Sequence, residues 1–171
     1  MDYYADITST IKQLGDVNKL IIVGPGFTKN GYYDYLQDKE PSLAKKSVLE
    51  ATGAGGHAGI EEVLKNGLVE SLSKDAKIAK ETTAVNKLLE AIAKSMGDVT
   101  YGKNQCLSAA NMGAIEKLLV VDHMIRDNTI QNIMNTTENM GGSVEIISSE
   151  HDAGKQLEAR GNRGAFLRYP I

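Results

Sequence analysis

The stretch Gly164-Ala165-Phe166-Leu167-Arg168-Tyr169-Pro170-Ile171 (GAFLRYPI) closes the chain, and its role decides the fold. It predicts an apolar strand, and Pro170 marks where the pairing ends because proline has no N–H for a ladder. Upstream, apolar segments of strand length alternate with segments of helical periodicity. This alternation is typical of an α/β fold with a mostly parallel sheet and helices on both faces. GAFLRYPI is then the last strand of an α/β sandwich.

The same alternation runs through the whole chain. Strands are predicted at KLIIVG (19–24), KSVLEATG (46–53), EKLLVVD (116–122) and GGSVEIISS (141–149). Helices are predicted at 3–15, 57–67, 103–114, 128–140 and 152–161, and a long one over 73–96. The first half of the long helix is polar almost all round, which favours a helix between two packed bodies. We therefore predict a partial α/β domain over residues 1–84 and a complete α/β sandwich over residues 85–171.

Composition restricts the functional classes. The formal net charge is −3, which provides no basic field for holding nucleic acid. Cys106 is the single cysteine, so an intramolecular disulfide framework is excluded and a reducing cytosol is expected. No segment approaches the roughly 18 apolar residues of a membrane span. We expect a cytoplasmic globular protein that does not bind membranes.

The glycine-rich motif VGPGFTKNG follows the first strand, where a phosphate loop would stand. It lacks the Gly-Lys-Ser/Thr of a P-loop and the third glycine of a dinucleotide fingerprint. Pro25 and Gly26 instead fit the two central positions of a type II turn. That turn would direct Phe27 outward as an anchor for a partner, whereas the alternative interpretation packs Phe27 under the following helix.

The histidines do not form a convincing catalytic or metal site. His123 follows a strand in VVDHMIR, and His151 lies in SSEHDAGKQL beside serine and aspartate residues. The latter group is crowded into one loop, whereas a hydrolase triad draws on separate elements. Capping of the next helix by Asp152 is the simpler interpretation. Three scattered histidines and one cysteine have no metal-ligand spacing, so we predict no catalytic and no metal site.

Several motifs together resemble one protein family. GAIEKLLVVD, GGSVEIISSEHDAGKQL and GAFLRYPI match, in order and spacing, the C-terminal domain of the pelota family, the ribosome-rescue relatives of class-1 peptide release factors. IIVGPGFTK, HAGIEEVL and TYG match the second half of the family's central domain and the junction. The resemblance covers Tyr4 to Ile171, the C-terminal half of such proteins. It implies a last domain similar to the kink-turn-binding ribosomal proteins.

The resemblance also implies a function. Pelota enters the empty A site of a stalled ribosome with a translational GTPase of the elongation-factor-1α class, and a twin-ATPase recycling factor then helps to separate the subunits. Decay of the stalled mRNA, called no-go decay, follows. The family is also described as a divalent-metal-dependent endoribonuclease, an activity attached to an N-terminal domain that this chain does not contain. No cofactor is therefore expected in these residues.

We predict partner-binding residues in two of these motifs, IIVGPGFTK and GGSVEIISSEHDAGKQL. They are Pro25, Gly26, Phe27, His151, Gly154 and Lys155. The family usually has glutamate where Lys155 stands. With no basic field, the chain is expected to dock proteins and not to bind a specific nucleic-acid sequence stably.

Three alternatives stay open on the sequence. The chain could be the C-terminal region of an archaeal peptide chain release factor, whose catalytic tripeptide would lie upstream of Met1. It could be a stand-alone kink-turn RNA-binding module. It could also be a small hydrolase that uses His123 or His151.

Overall fold

A computed structural model describes residues 2–171 and divides them into two compact units, which separate between Leu72 and Ser73. This division falls earlier than the predicted boundary between residues 84 and 85. The physical reason lies in the long helix, where Glu81 and Ala84 are already buried within the second unit. The helix therefore belongs mostly to the second unit.

The elements alternate as the periodicity predicts. The first unit contains α1 (Tyr3–Gln13), β1 (Leu20–Gly24), α2 (Thr28–Lys39), α3 (Pro41–Lys45), β2 (Ser47–Ala51) and α4 (Gly56–Lys65). The long helix α5 (Leu68–Ala93) begins in the first unit. The second unit continues with β3 (Val99–Tyr101), α6 (Lys103–Asn111), β4 (Ile115–Val121), α7 (Asn128–Asn139), β5 (Ser143–Ile147), α8 (Asp152–Glu158) and β6 (Arg163–Leu167). A 3₁₀ helix spans Asp122–Arg126. Helices α2 and α3 and strand β3 have no counterpart in the sequence analysis.

The first unit is built on two parallel strands. β1 and β2 pair from Leu20 with Ser47 to Gly24 with Ala51. Tyr32, Leu36 and Ala44 form the buried centre, and apolar side chains of α1 pack against it. The Thr8 hydroxyl and the Tyr32 phenol share a buried hydrogen bond of 3.0 Å, so a polar pair is satisfied inside this small core.

The second unit is built on a four-stranded sheet with the order β3-β6-β4-β5. β4 and β5 are parallel, but β6 runs antiparallel to both of its neighbours. The prediction of a mostly parallel sheet is therefore wrong here. The seven-residue helix α8 is too short to carry the chain back along the sheet, since it rises by only about 10 Å. β6 consequently starts at the edge where β5 ends, with Arg163 opposite Val120.

The strand β6 lies inside the sheet, between β3 and β4, which explains its apolar sequence. Ala165 is fully buried, and the backbone N–H of Leu167 donates to the Asp98 carbonyl at 2.7 Å. Beyond the strand, the Arg168 side chain donates to the Met140 carbonyl at 2.9 Å. The Tyr169 hydroxyl donates to the Met112 carbonyl at 2.9 Å. The terminus is thus fixed by contacts with three different segments.

Two hydrophobic clusters cover the two faces of this sheet. Alternate residues of β4 belong to different clusters: Leu118 and Val120 to one, Leu119 and Val121 to the other. The first cluster is completed by α6 and α7, and the second by α5 and α8. Within residues 2–171, no helix is both long and apolar enough to cross a membrane.

Cys106 lies in the first of these clusters and is completely buried. Burial raises the pKa of its thiol to about 12. At pH 8 a thiol with that pKa is ionised in only about one molecule in ten thousand, and the thiolate is the reactive form. We expect alkylation by iodoacetamide at pH 8 to be at least about a thousandfold slower in native buffer than in denaturant. Comparable rates in both buffers would contradict the buried position.

Candidate docking site

The turn after β1 has the geometry that the motif predicts. Gly26 has a φ of +63°, the left-handed conformation required at the third position of a type II turn. The Lys29 ammonium donates to the Gly26 carbonyl, and the Asn30 N–H donates to the Phe27 carbonyl at 3.0 Å. These bonds join the turn to the first turn of α2. The segment is therefore held in one conformation by its own neighbours.

Phe27 projects from this turn into solvent. It is 86% exposed, the largest exposed fraction among the large hydrophobic residues of the described chain. The interpretation that Phe27 packs under the following helix is therefore wrong. Pro25 and Gly26 are exposed beside it. The structure thus brings all three predicted residues of this motif together on one surface of the first unit.

A second loop reaches the same surface. β1 and β2 are parallel, so the segments that follow them emerge at the same edge of the sheet. A Cβ on Gly55 would lie 3.7 Å from Pro25 Cδ, which places the two segments in van der Waals contact. The Gly53 N–H donates to the Glu62 carboxylate at 2.9 Å, so α4 holds this loop. His57 follows it as an exposed residue of α4.

In the second unit, the loop after β5 is tied to α5 by a buried carboxylate. Glu81 is 2% exposed, and its Oε2 accepts from the Ser148 N–H at 3.0 Å. The same oxygen lies 2.6 Å from His151 Nε2. Lys77 is the nearest cation, with its Nζ 3.7 Å from Glu81 Oε1. This cluster fixes both ends of the segment Ser148–His151 against the helix.

Gly154 and Lys155 follow in the first turns of α8. A Cβ on Gly154 would lie 1.9 Å from the Ser148 carbonyl oxygen, so the loop packs directly on the helix backbone. Lys155 is exposed. The N-cap of α8 is His151, whose side chain makes no capping hydrogen bond, and Asp152 lies inside the helix. The predicted capping by Asp152 is therefore wrong, whereas His151, Gly154 and Lys155 do lie together.

Glu81 is the residue that the sequence analysis missed. It was counted with the polar first half of the long helix, yet it shares a helical face with Val85 and Leu88, four and seven residues later. Both of those side chains are completely buried. The spacing of Glu81, Val85 and Leu88 therefore indicates that Glu81 is buried. A charged residue on a buried helical face requires a buried partner.

The residue types of a hydrolase do not assemble into a triad. His151 faces Glu81, and the Ser148 hydroxyl accepts from the Glu150 N–H at 3.3 Å. His123 Nδ1 lies 3.4 Å from a Glu158 carboxylate oxygen. In the part of the chain that the structure describes, no histidine is hydrogen-bonded to a serine hydroxyl or to the cysteine thiol. Nor do residues 2–171 contain a group of three or more His, Cys, Asp or Glu side chains placed to hold a metal ion.

Comparisons with known proteins agree with this architecture. A sequence profile of the family described as eRF1 domain 3 matches residues 78–171. A protein pelota homolog of Methanosphaera stadtmanae is 69% identical over 170 residues, which are 99% of this chain and 48% of that relative. The chain thus spans about half the length of the curated relatives that it matches.

Solved structures of archaeal Pelota and of Dom34 also match this chain. A structure of ribosome-bound archaeal Pelota and ABCE1 matches with a TM-score of 0.80 and 37% identity, over 100% of this chain and 50% of that one. Dom34 of S. cerevisiae, described as a translation termination-like factor that interacts with Hbs1, matches with a TM-score of 0.63 and 26% identity, over 99% and 52%. Because the family profile covers more than half of the chain and the relatives match nearly all of it, the chain belongs to the pelota family of release-factor relatives.

Proposed function

We propose that this chain is the protein-docking part of a ribosome-rescue factor. In this proposal the factor occupies the A site of a stalled ribosome together with a translational GTPase of the elongation-factor-1α class. A twin-ATPase recycling factor then joins, the subunits separate, and the stalled mRNA is directed to no-go decay. The proposal rests on family membership and on relatives described as ribosome-bound with ABCE1 or as interacting with Hbs1. The site of action would be the cytoplasm.

The exposure of Phe27 is the observation in the chain itself that supports the docking proposal. Phe27 is a large apolar side chain that remains 86% exposed on a turn fixed by hydrogen bonds. A rigid, exposed aromatic loses little conformational entropy on binding, and aromatic anchors are enriched among the residues that dominate protein interfaces. We assign Phe27 the role of anchor for the GTPase, with Pro25 and Gly26 shaping the turn that presents it.

The second predicted segment, from His151 to Lys155, would supply a charged contact with the partner. Lys155 is an exposed cation on α8, and His151 and Gly154 hold that helix against the loop after β5. We propose that Lys155 contacts an acidic group of a protein partner, with His151 and Gly154 positioning it. The endoribonuclease activity described for the family is assigned to a domain outside this chain, and we propose no metal-dependent step for residues 2–171.

Phe27→Ala tests the anchor directly. We expect the affinity for the GTPase to fall by about thirtyfold, because truncated anchors typically cost about 2 kcal/mol. The melting temperature should hardly change, since the side chain makes few contacts inside the chain. Both quantities are measured on one preparation, binding by calorimetry against the purified GTPase loaded with a non-hydrolysable GTP analogue.

Leu14→Ala provides the matched control, because Leu14 is another apolar residue of the first unit and is 77% exposed. It should leave GTPase binding unchanged. Equal losses of affinity in both variants, or unaltered affinity in Phe27→Ala, would remove Phe27 from the docking surface. A large fall in melting temperature in Phe27→Ala would show that the side chain supports the fold instead.

A further inference from the structure

The chain contains the tripeptide Lys-Asn-Gly twice, and the structure places the two copies in different surroundings. One is Lys29-Asn30-Gly31 in α2, and the other is Lys65-Asn66-Gly67, where α4 ends and α5 begins. An asparagine that precedes glycine can lose its side-chain amide, because glycine has no Cβ to obstruct attack of its backbone nitrogen on the asparagine side chain. Both asparagines are exposed. A difference in their reactivity therefore comes from the fold.

The first copy is held inside a helix. The N–H groups of Asn30 and Gly31 donate to the Phe27 carbonyl at 3.0 and 3.3 Å. A Cβ on Gly31 would lie 2.8 Å from the Tyr4 hydroxyl oxygen, so α1 packs closely on this position. The Gly31 nitrogen reaches the Asn30 side chain only if the first turn of α2 opens. These hydrogen bonds therefore protect Asn30.

The second copy lies between two helices. Asn66 is the C-cap of α4, and Gly67 has a φ of +80°. The Gly67 N–H has no hydrogen-bond acceptor among residues 2–171. A Cβ on Gly67 would meet no neighbouring group of those residues within 4 Å. The nitrogen that would attack Asn66 is thus unbonded and has open space beside it.

The start of α5 activates the side chain that would be attacked. The Leu68 N–H donates to Asn66 Oδ1 at 3.2 Å. Leu68 is the first residue of a helix of 26 residues, whose first N–H groups form the positive end of the helix dipole. Attack on Asn66 Cγ moves electrons onto Oδ1, so a donor at that oxygen stabilises the developing negative charge. The fold therefore favours reaction at Asn66.

We propose that Asn66-Gly67 is a site of spontaneous deamidation in the folded protein. The Gly67 nitrogen forms a bond to Asn66 Cγ, the bond from Cγ to Nδ2 breaks, and Nδ2 leaves as ammonia with the proton of the Gly67 nitrogen. Water then opens the five-membered succinimide ring. Addition of water at Cγ gives aspartate, and addition at the backbone carbonyl of residue 66 gives isoaspartate.

The two products change the connection between α4 and α5 in different ways. Each replaces a neutral amide by a carboxylate, which makes the net charge one unit more negative than −3. Aspartate keeps an acceptor for the Leu68 N–H, and negative charge is favourable at the start of a helix. Isoaspartate adds one atom to the main chain and takes Oδ1 into the peptide link. The site is independent of the proposed GTPase docking, because the reaction needs no partner.

The test compares the two copies within one chain. The whole chain is incubated at pH 8 in native buffer and, in parallel, in guanidinium chloride. Digestion at acidic pH and mass spectrometry with electron-transfer fragmentation then measure aspartate and isoaspartate at both positions. In native buffer Asn66 should convert at least about tenfold faster than Asn30, because reaction at Asn30 requires local opening of α2. In denaturant the two rates should agree within about twofold, since the tripeptides are identical.

Asn66→Gln and Asn30→Gln are matched variants at exposed positions, so both keep the core intact. Glutamine has one more carbon in its side chain and cannot close the five-membered ring. Ageing of the original chain in native buffer should produce an acidic species on ion-exchange chromatography, which Asn66→Gln prevents and Asn30→Gln leaves unchanged. Equal rates at the two positions in native buffer, or an acidic species that persists in Asn66→Gln, would overturn the proposal.

Discussion

Glu81→Ala should lower the free energy of unfolding of the second unit by about 3 kcal/mol. The carboxylate is 2% exposed and joins α5 to the Ser148 N–H and to His151 Nε2. Its removal leaves both groups inside the protein without their acceptor, and an unsatisfied buried donor costs about 1–3 kcal/mol. For a unit of this size the melting temperature should fall by roughly 10–20 °C.

A double-mutant cycle measures the interaction energy between Glu81 and His151 separately from their other contacts. Glu81→Ala and His151→Ala remove the two partners in turn, and residues in direct contact typically show interaction energies of about 0.5–3 kcal/mol. We expect a coupling within that range, measured by urea unfolding with circular dichroism and with alkylation of Cys106 as a reporter of the second unit. Purely additive effects would show that the 2.6 Å contact adds nothing of its own.

Glu90→Ala is the control on the same helix. Glu90 is solvent-exposed and pairs with Lys94, one turn later. That contact lowers the pKa of the carboxylate, but exposed pairs of this kind contribute little to stability. We expect almost no change in the unfolding curve. If Glu90→Ala destabilised the chain as strongly as Glu81→Ala, loss of helical structure and not the buried cluster would explain both results.

Gly154→Ala should destabilise the second unit by about 3–5 kcal/mol, even though alanine favours helices over glycine by about 1 kcal/mol. The added Cβ would lie 1.9 Å from the Ser148 carbonyl oxygen and 2.9 Å from Ser149 Cα. Both atoms belong to the backbone, so no side-chain rotation can relieve the overlap. The loop after β5 would have to move, which would break its bonds with Glu81 as well.

Gly97→Ala tests whether any glycine in this unit has the same effect. A Cβ at that position would meet Pro170 at 3.4 Å, an ordinary van der Waals contact. We expect a change of less than about 1 kcal/mol, measured by the same urea titration. A Gly154→Ala variant as stable as the original chain would show that the loop is free to move away from α8.

Elements with strong local signals were predictable from the sequence. EKLLVVD predicts a buried strand because a short apolar run bounded by polar residues has few other structures available, and β4 occupies Ile115–Val121. The helix predicted over 128–140 is observed at Asn128–Asn139, with its inner residues Ile130 and Ile133 buried. α2 was missed because its apolar face is carried mainly by tyrosines, whose polar ends blur the pattern.

The two halves of the predicted docking site differ in how much the sequence could reveal. The motif Gly-Pro-Gly-Phe determines its turn locally, because glycine at the third position permits the φ of +63° and proline restricts the second. The turn alone left open whether Phe27 is exposed or packs under α2, and the structure decides for exposure. For the second half, the sequence located His151, Gly154 and Lys155 but not the reason for their arrangement, since Glu81 precedes His151 by 70 residues.

By itself, the sequence determined the family, most of the strands and helices, and the turn at Pro25 and Gly26. Each of these depends on residues close together in the chain, whose spacing and backbone preferences act locally. Only the tertiary structure decided that β6 runs antiparallel between β3 and β4, that α5 belongs mostly to the second unit, and that Glu81 is buried. Those outcomes depend on contacts between distant segments, whose free energy arises from burial and pairing that no local pattern encodes.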